Sequence, residues 1–204
     1  RSMNVSAAER ASQLKSNLAR MIELRPRLNA RRYIIMNSAS FELQAIEDGG
    51  VAVASRTIVG KRQTPTPILS ANVQAVNLLP YWHVPGSIAK AALVPAVRKD
   101  PDYLRRERIR VFSSCGGNEL DPGQVNWWGP ETQRLVFRQD PGPQNALGLI
   151  RLDMPNKSIV YMHDTPMKPL FNNFERAFSA GCVRVKYVFD IGGWLLSEQA
   201  WSSE

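Results

Sequence analysis

The chain has 204 residues, 44% hydrophobic and 22% charged, which fits one soluble domain with a proper core. No apolar run reaches the ~18–20 residues that span a bilayer, so a transmembrane segment is excluded. The formal net charge of +8 favours polyanionic partners such as nucleic acid, anionic lipid or a carboxylate-bearing polymer.

The predicted elements begin with an amphipathic helix over residues 5–25, with Ala11, Leu14, Leu18, Met21 and Ile22 on one face and Pro26 after its end. From Arg32 the period changes to two. Tyr33–Asn37, Phe41–Ile46 and Val51–Val59 read as strands, joined by turns at Asn37–Ser40 and Asp48-Gly49-Gly50. A fourth strand over Val73–Leu79 would complete an antiparallel meander. Between 80 and 140 two helical candidates, Ser87–Val94 and Pro101–Arg106, stand among Pro, Gly and charge, so an irregular functional flap is expected. Strands resume at Arg134–Arg138, Leu147–Leu152 and Ser158–His163. A short strand over Cys182–Val185 precedes a final helix over Tyr187–Leu196, weakened by Gly192-Gly193. The fold class is mostly β (α+β) with peripheral helices: a helix in 1–28 leads into one domain over 29–204, with an insertion at about 85–135.

Nucleic acid is not the expected partner. The cations from Arg98 to Arg110 are interleaved with Asp100, Asp102 and Glu107, and no RNA-recognition or zinc-finger signature is present. The two Cys and two His form no C-x-x-C or H-x-x-x-H pair, so neither a disulfide scaffold nor a metal is expected, and no other cofactor is. The first ten residues are polar and carry no secretory signal. The chain starts on Arg, so it reads as a piece of a longer precursor.

A cysteine nucleophile needs a base within reach and donors for the developing oxyanion. His163 ends a predicted strand on which alternation sets Ile159, Tyr161 and His163 on one face. Cys182 follows Gly181, which permits a tight turn whose N–H groups can point at an oxyanion. Arg184, two residues on, can lower the thiol pKa or hold a substrate carboxylate. The same Cys is equally readable as a small buried residue, and the His as a structural one. Cys115 lies in a flexible loop and reads as an incidental thiol. His83, among aromatics and prolines, suits lining a groove. Ser87-Ile88-Ala89-Lys90 matches S-x-x-K, but S-D-N and K-T-G are absent, and Ser87 reads better as a helix N-cap.

His163-Asp164-Thr165-Pro166, followed by Ser179-Ala180-Gly181-Cys182-Val183-Arg184, resembles the signature of L,D-transpeptidases with the YkuD-type catalytic domain. Val59-Gly60 with Thr66-Pro67, the segment from Pro80-Tyr81-Trp82 to Ile88-Ala89, and Arg138-Gln139-Asp140-Pro141-Gly142 with Asn145-Ala146-Leu147-Gly148 resemble further family stretches in order. Ala180 departs from the His or Ser of many relatives. The resemblance implies a β-sandwich whose inserted subdomain caps the site, and a mechanism in which His163 deprotonates Cys182. The thiolate then forms a thioester with a tetrapeptide stem of peptidoglycan, and an amine resolves it in a 3-3 cross-link. It also implies a backbone oxyanion hole at Gly181 and Cys182, substrate contacts at Arg184, Tyr161, Trp82, Asn145 and Ser179, a periplasmic location, and carbapenem β-lactams as covalent inhibitors. Attachment of an outer-membrane protein to peptidoglycan is the alternative in the same chemistry. A non-catalytic cell-wall-binding module is the alternative of another class.

Overall fold

The computed structural model describes residues 5–197; residues 1–4 and 198–204, the ends of the expected ranges, lie outside it. Helix α1 (Ala7–Leu24) starts at a reciprocal capping box, in which Ser6 Oγ accepts from the Glu9 N–H and the Glu9 carboxylate accepts from the Ser6 N–H. The helix expected over residues 5–25 is present. Leu14, Leu18, Met21 and Ile22 are all exposed, and the 3-10 turn Arg25–Asn29 follows the helix directly. Caps and propensity hold this helix without a buried face among the described residues.

Strands β1 (Arg32–Asn37), β2 (Glu42–Glu47) and β3 (Gly50–Gly60) form the expected meander. Asp48 and Gly49 turn the second hairpin with φ of 48° and 79°, the left-handed pair that a two-residue hairpin demands. β4 (Ala75–Leu78) leaves the meander and pairs with β9 (Ile150–Asp153) at the far edge. Between these edges lie β12 (Val183–Val185), antiparallel to β3, and β10 (Met162–His163), which runs parallel to β12 and antiparallel to β9. β11 (Ala177–Ser179) adds in parallel to the end of β3. Helix α5 (Val188–Leu196) closes the core: its Val188 and Ile191 pack with Leu43, Leu152, Met162, Val183 and Val185. Gly192, which weakens helix propensity, permits this approach, because a Cβ there would meet Ile150 Cδ1 at 2.9 Å.

Residues 158–161 do not join β10. The Asn156 side chain accepts from the Ser158 and Val160 N–H groups, and Ile159 turns outward with φ of 53°. Ile159 is exposed and is not on the face expected for it beside Tyr161 and His163.

The middle of the chain is not irregular. β5 (Trp82–His83), β8 (Val136–Gln139), β6 (Ile109–Phe112) and β7 (Glu119–Leu120) make a second antiparallel sheet. Helix α2 (Gly86–Ile88) runs through a π turn into α3 (Val94–Lys99), and α4 (Tyr103–Arg106) follows. Their core is separate from the first: Val84, Leu93, Val97, Leu104, Val111 and Phe137. The expected class of strands with peripheral helices is what forms, with each sheet packed against helices of its own. Pro85, not Ser87, occupies the N-cap of α2; Ser87 sits exposed in its first turn.

Candidate active site

The register of β10 against β12 assembles the site. Met162 partners Val183 and His163 partners Arg184, and the Val183 N–H donates to the Tyr161 carbonyl at 3.1 Å. Met162 and Val183 point into the core. Side chains alternate along a strand, so Tyr161, His163, Cys182 and Arg184 share the opposite face. Residues 21 positions apart in sequence thereby become neighbours. The Tyr161 and His163 rings meet edge to face, with centroids 5.7 Å apart.

Cys182 lies half-buried on a braced turn just before β12. Gly181 has φ of 126°, a conformation open to glycine. Thr66 Oγ1 donates to the Gly181 carbonyl at 2.8 Å and accepts from the Gly60 N–H at 2.9 Å. Gly60 must lack a Cβ, which would fall 2.2 Å from the Thr64 carbonyl oxygen. The V-G…T-P stretch is therefore the strut beneath Cys182, a role that Thr66 takes through tertiary contact alone.

Two expected roles change here. Ser179 is buried; its Oγ donates to the Cys182 carbonyl at 2.6 Å and accepts from the Gly181 N–H at 3.1 Å. Ser179 is thus a brace, not a substrate contact. The Gly181 N–H is already used by Ser179, so it is not free for the oxyanion role expected of it. Ser179→Ala leaves a buried N–H and C=O unpaired and is expected to destabilise the fold by about 1–3 kcal/mol, read as a lower Tm in thermal unfolding. A Tm equal to wild type would mean that the turn holds itself.

His163 is buried. Its Nδ1 faces the Asp164 carbonyl, and the Leu147 carbonyl also lies against the ring. A carbonyl only accepts, so Nδ1 carries the proton and Nε2 is left with its lone pair. Burial, helped by the Arg184 charge, lowers the imidazole pKa to about 4 despite those carbonyls. The ring is neutral at physiological pH. Asn145, expected as a substrate contact, is also buried: it donates to the Pro80 and Asp140 carbonyls at 3.1 and 3.0 Å and accepts from the Leu147 N–H at 2.8 Å. It shapes the loop that presents Leu147 to His163.

Burial pushes the Cys182 thiol up, opposed by the Tyr161 N–H and hydroxyl and by Arg184. The Tyr161 phenol is raised to about 12, chiefly by burial and then by the adjoining thiol, and the Trp82 side chain reaches its hydroxyl from β5. Arg184 has no carboxylate partner among the described residues. Its Nε is buried without a hydrogen bond, and Nη1 meets only the Met167 sulfur at 3.7 Å. Arg151, which the sequence reading passed over, partners His163 across β9 and places its guanidinium 5.4 Å from the Tyr161 ring centroid, held by Asp153 at 2.9 Å. Its alternation with Leu152 was the available signal. His83 and Cys115 are both exposed. His83 partners Arg138 on the second sheet.

Similarity to known proteins gives the family of the chain. A Haemophilus influenzae protein named "Putative L,D-transpeptidase" is 31% identical over 169 residues, which are 83% of this chain and 34% of that protein; the chain thus spans about a third of its relative's length. Two solved structures are similar at 13% identity. One is an acylated catalytic domain of an E. faecium L,D-transpeptidase with ertapenem, with a TM-score of 0.44 over 80% of this chain and 88% of that one. The other is the Ldtfm-avibactam carbamoyl enzyme, with a TM-score of 0.43 over 79% and 44%. Neither score is high enough to argue from. The family model of the L,D-transpeptidase catalytic domain matches residues 31–197, and with the relative's identity over most of the chain it shows that the protein belongs to the YkuD family of L,D-transpeptidase catalytic domains.

Proposed function

We propose that the protein is a periplasmic peptidoglycan L,D-transpeptidase with Cys182 as nucleophile and His163 as base. What supports this reading is the pairing of β10 with β12, which brings His163 beside Arg184 with Tyr161 and Cys182 next along the chain; the His163 ring is neutral with Nδ1 on a carbonyl, and Arg184 Nε has no hydrogen-bond partner among the described residues.

At rest both partners are neutral: burial holds the proton on sulfur and off the ring. As Sγ attacks the carbonyl that follows the third residue of a donor stem, Nε2 takes the thiol proton. The oxyanion receives the Cys182 N–H, with the Tyr161 hydroxyl as second donor in place of the Gly181 N–H. The C–N bond breaks, the proton passes from Nε2 to the leaving D-alanine amine, and a thioester remains. An acceptor stem amine attacks the thioester, gives its proton to Nε2, and closes the 3-3 cross-link as sulfur leaves and is reprotonated. Arg184 holds a donor carboxylate, since its half-buried guanidinium has no anion among the described residues and its Nε is buried without a hydrogen bond. The second sheet caps the site through Trp82, which lines the groove at the Tyr161 hydroxyl.

Intact-protein mass spectrometry after incubation with a carbapenem tests this. One adduct is expected on wild type and on Cys115→Ala, and none on Cys182→Ala. A folded wild type without an adduct would favour a wall-binding module, and an adduct surviving Cys182→Ala would assign the nucleophile elsewhere. Once the adduct has assigned the nucleophile, untreated enzyme given a donor tetrapeptide and competing amines separates a stem-peptide acceptor from a protein amine.

A further inference from the structure

Asp164 is a buried carboxylate that plays no part in the acyl transfer above. Its Oδ2 accepts from the Leu149 N–H at 3.1 Å, and its Oδ1 pairs with the Lys168 ammonium. Its own N–H donates to the Ile150 carbonyl at 2.9 Å, and its own carbonyl meets Nδ1 of His163. Both ends of this residue are therefore pinned to the start of β9, and the carbonyl that selects the imidazole tautomer is pinned with them. Gly148 makes the approach possible. It has φ of 64°, and a Cβ there would fall 2.4 Å from Asp164 Cβ. The cation comes from outside: Lys168 is half-exposed on the 3-10 turn Lys168–Asn172 and reaches back to a carboxylate that is itself only 4% exposed.

We infer that the Asp164–Lys168 ion pair is a positioning lock for the base: it holds the Asp164 carbonyl on Nδ1–H and so keeps Nε2 as the proton acceptor. The inference rests on His163 being the base of the proposed reaction. The physical reason is the cost of an unpaired buried carboxylate. With Lys168 neutralised, the buried carboxylate loses its counter-charge and turns toward water, and its main chain turns with it. The ring then loses the Asp164 carbonyl from Nδ1, and that contact no longer favours one nitrogen over the other. Asp164 touches no reacting atom, so its role is positioning.

The test uses Lys168→Met, which removes only the charge from a half-exposed stem, with Lys168→Arg as the conservative variant and Asp164→Asn as the reciprocal one. Nitrogen-15 imidazole spectra read the His163 tautomer without any substrate, and steady-state transfer kinetics read kcat and KM. Wild type and Lys168→Arg are expected to show a single Nδ1–H tautomer. Lys168→Met and Asp164→Asn are expected to show averaged nitrogen shifts and about a tenfold lower kcat at unchanged KM, the scale of loss from a misplaced catalytic group. A single Nδ1–H tautomer and undiminished kcat in Lys168→Met would overturn the lock. The tautomer reading stands apart from the carbapenem adduct, so failure of the proposed function and failure of the lock are distinguished.

Discussion

Replacing His163 by Gln is expected to slow acylation of Cys182 by about 10²–10⁴-fold, the usual contribution of a positioned general base. A neutral thiol whose pKa is raised by burial cannot attack unaided, so the loss falls on the chemical step rather than on binding. The pH dependence has a definite sign. With a folded-state pKa of about 4, the imidazole is competent well below neutrality, so the acid limb of kcat/KM belongs near pH 4 and not near the ordinary histidine value. The same shift acts on stability. Between 6.5 and about 4 the unfolded chain binds a proton that the folded chain refuses. Stability is thus fully present above the unfolded value and lost as pH falls toward the folded one. The difference is about 3 kcal/mol. Urea unfolding of wild type and His163→Gln between pH 4 and 7 measures it: the wild type should lose that much more than the variant over the interval. Parallel curves would show that the imidazole is not held neutral by the fold.

The second large effect is expected at Gly148. Gly148→Ala sets a methyl carbon 2.4 Å from Asp164 Cβ, an atom tied directly to the main chain and unable to swing aside. It also forces Ala into the left-handed region, at about 1–2 kcal/mol. Displacing Asp164 would break its bond to the Leu149 N–H and its pairing with Lys168, leaving a buried carboxylate unmatched, which adds about 3–5 kcal/mol. A domain with about 5–15 kcal/mol of stability would be left near its threshold. Unfolding midpoints and soluble yield report this. A variant as stable as wild type would show that the loop before β9 can open without cost.

Much of the fold was legible because its signals are local. The Asp48-Gly49 hairpin depends on two backbone conformations, and α1 on a capping box that spans four residues. Where local pattern and long-range pairing parted, the reading failed. β4 looked like the next strand of a meander, but its Val76 completes the core beside Leu152, so it joined β9. Ile109-Arg110-Val111-Phe112 alternates buried and exposed residues as a half-buried strand does, yet the charges around it disguised it as loop. At the site, Cys182, His163 and Arg184 announced themselves by chemistry and order. Arg151 and Thr66 did not, because nothing in their own segments shows what lies across the sheet.

The sequence by itself determined which groups could react: one cysteine in a glycine turn, one histidine at a strand end and one arginine in step with the cysteine. It also determined the family, through motifs whose order along the chain is independent of any coordinate. Only the tertiary structure decided what those groups are free to do. It consumed the Gly181 N–H on Ser179, set Asn145 as a brace, removed the proton from Nε2 by placing a carbonyl at Nδ1, and left Arg184 Nε without a hydrogen-bond partner among the described residues. The physical reason is that side-chain identity sets the chemistry available, whereas protonation and hydrogen-bond capacity depend on burial and on partners brought together from distant parts of the chain.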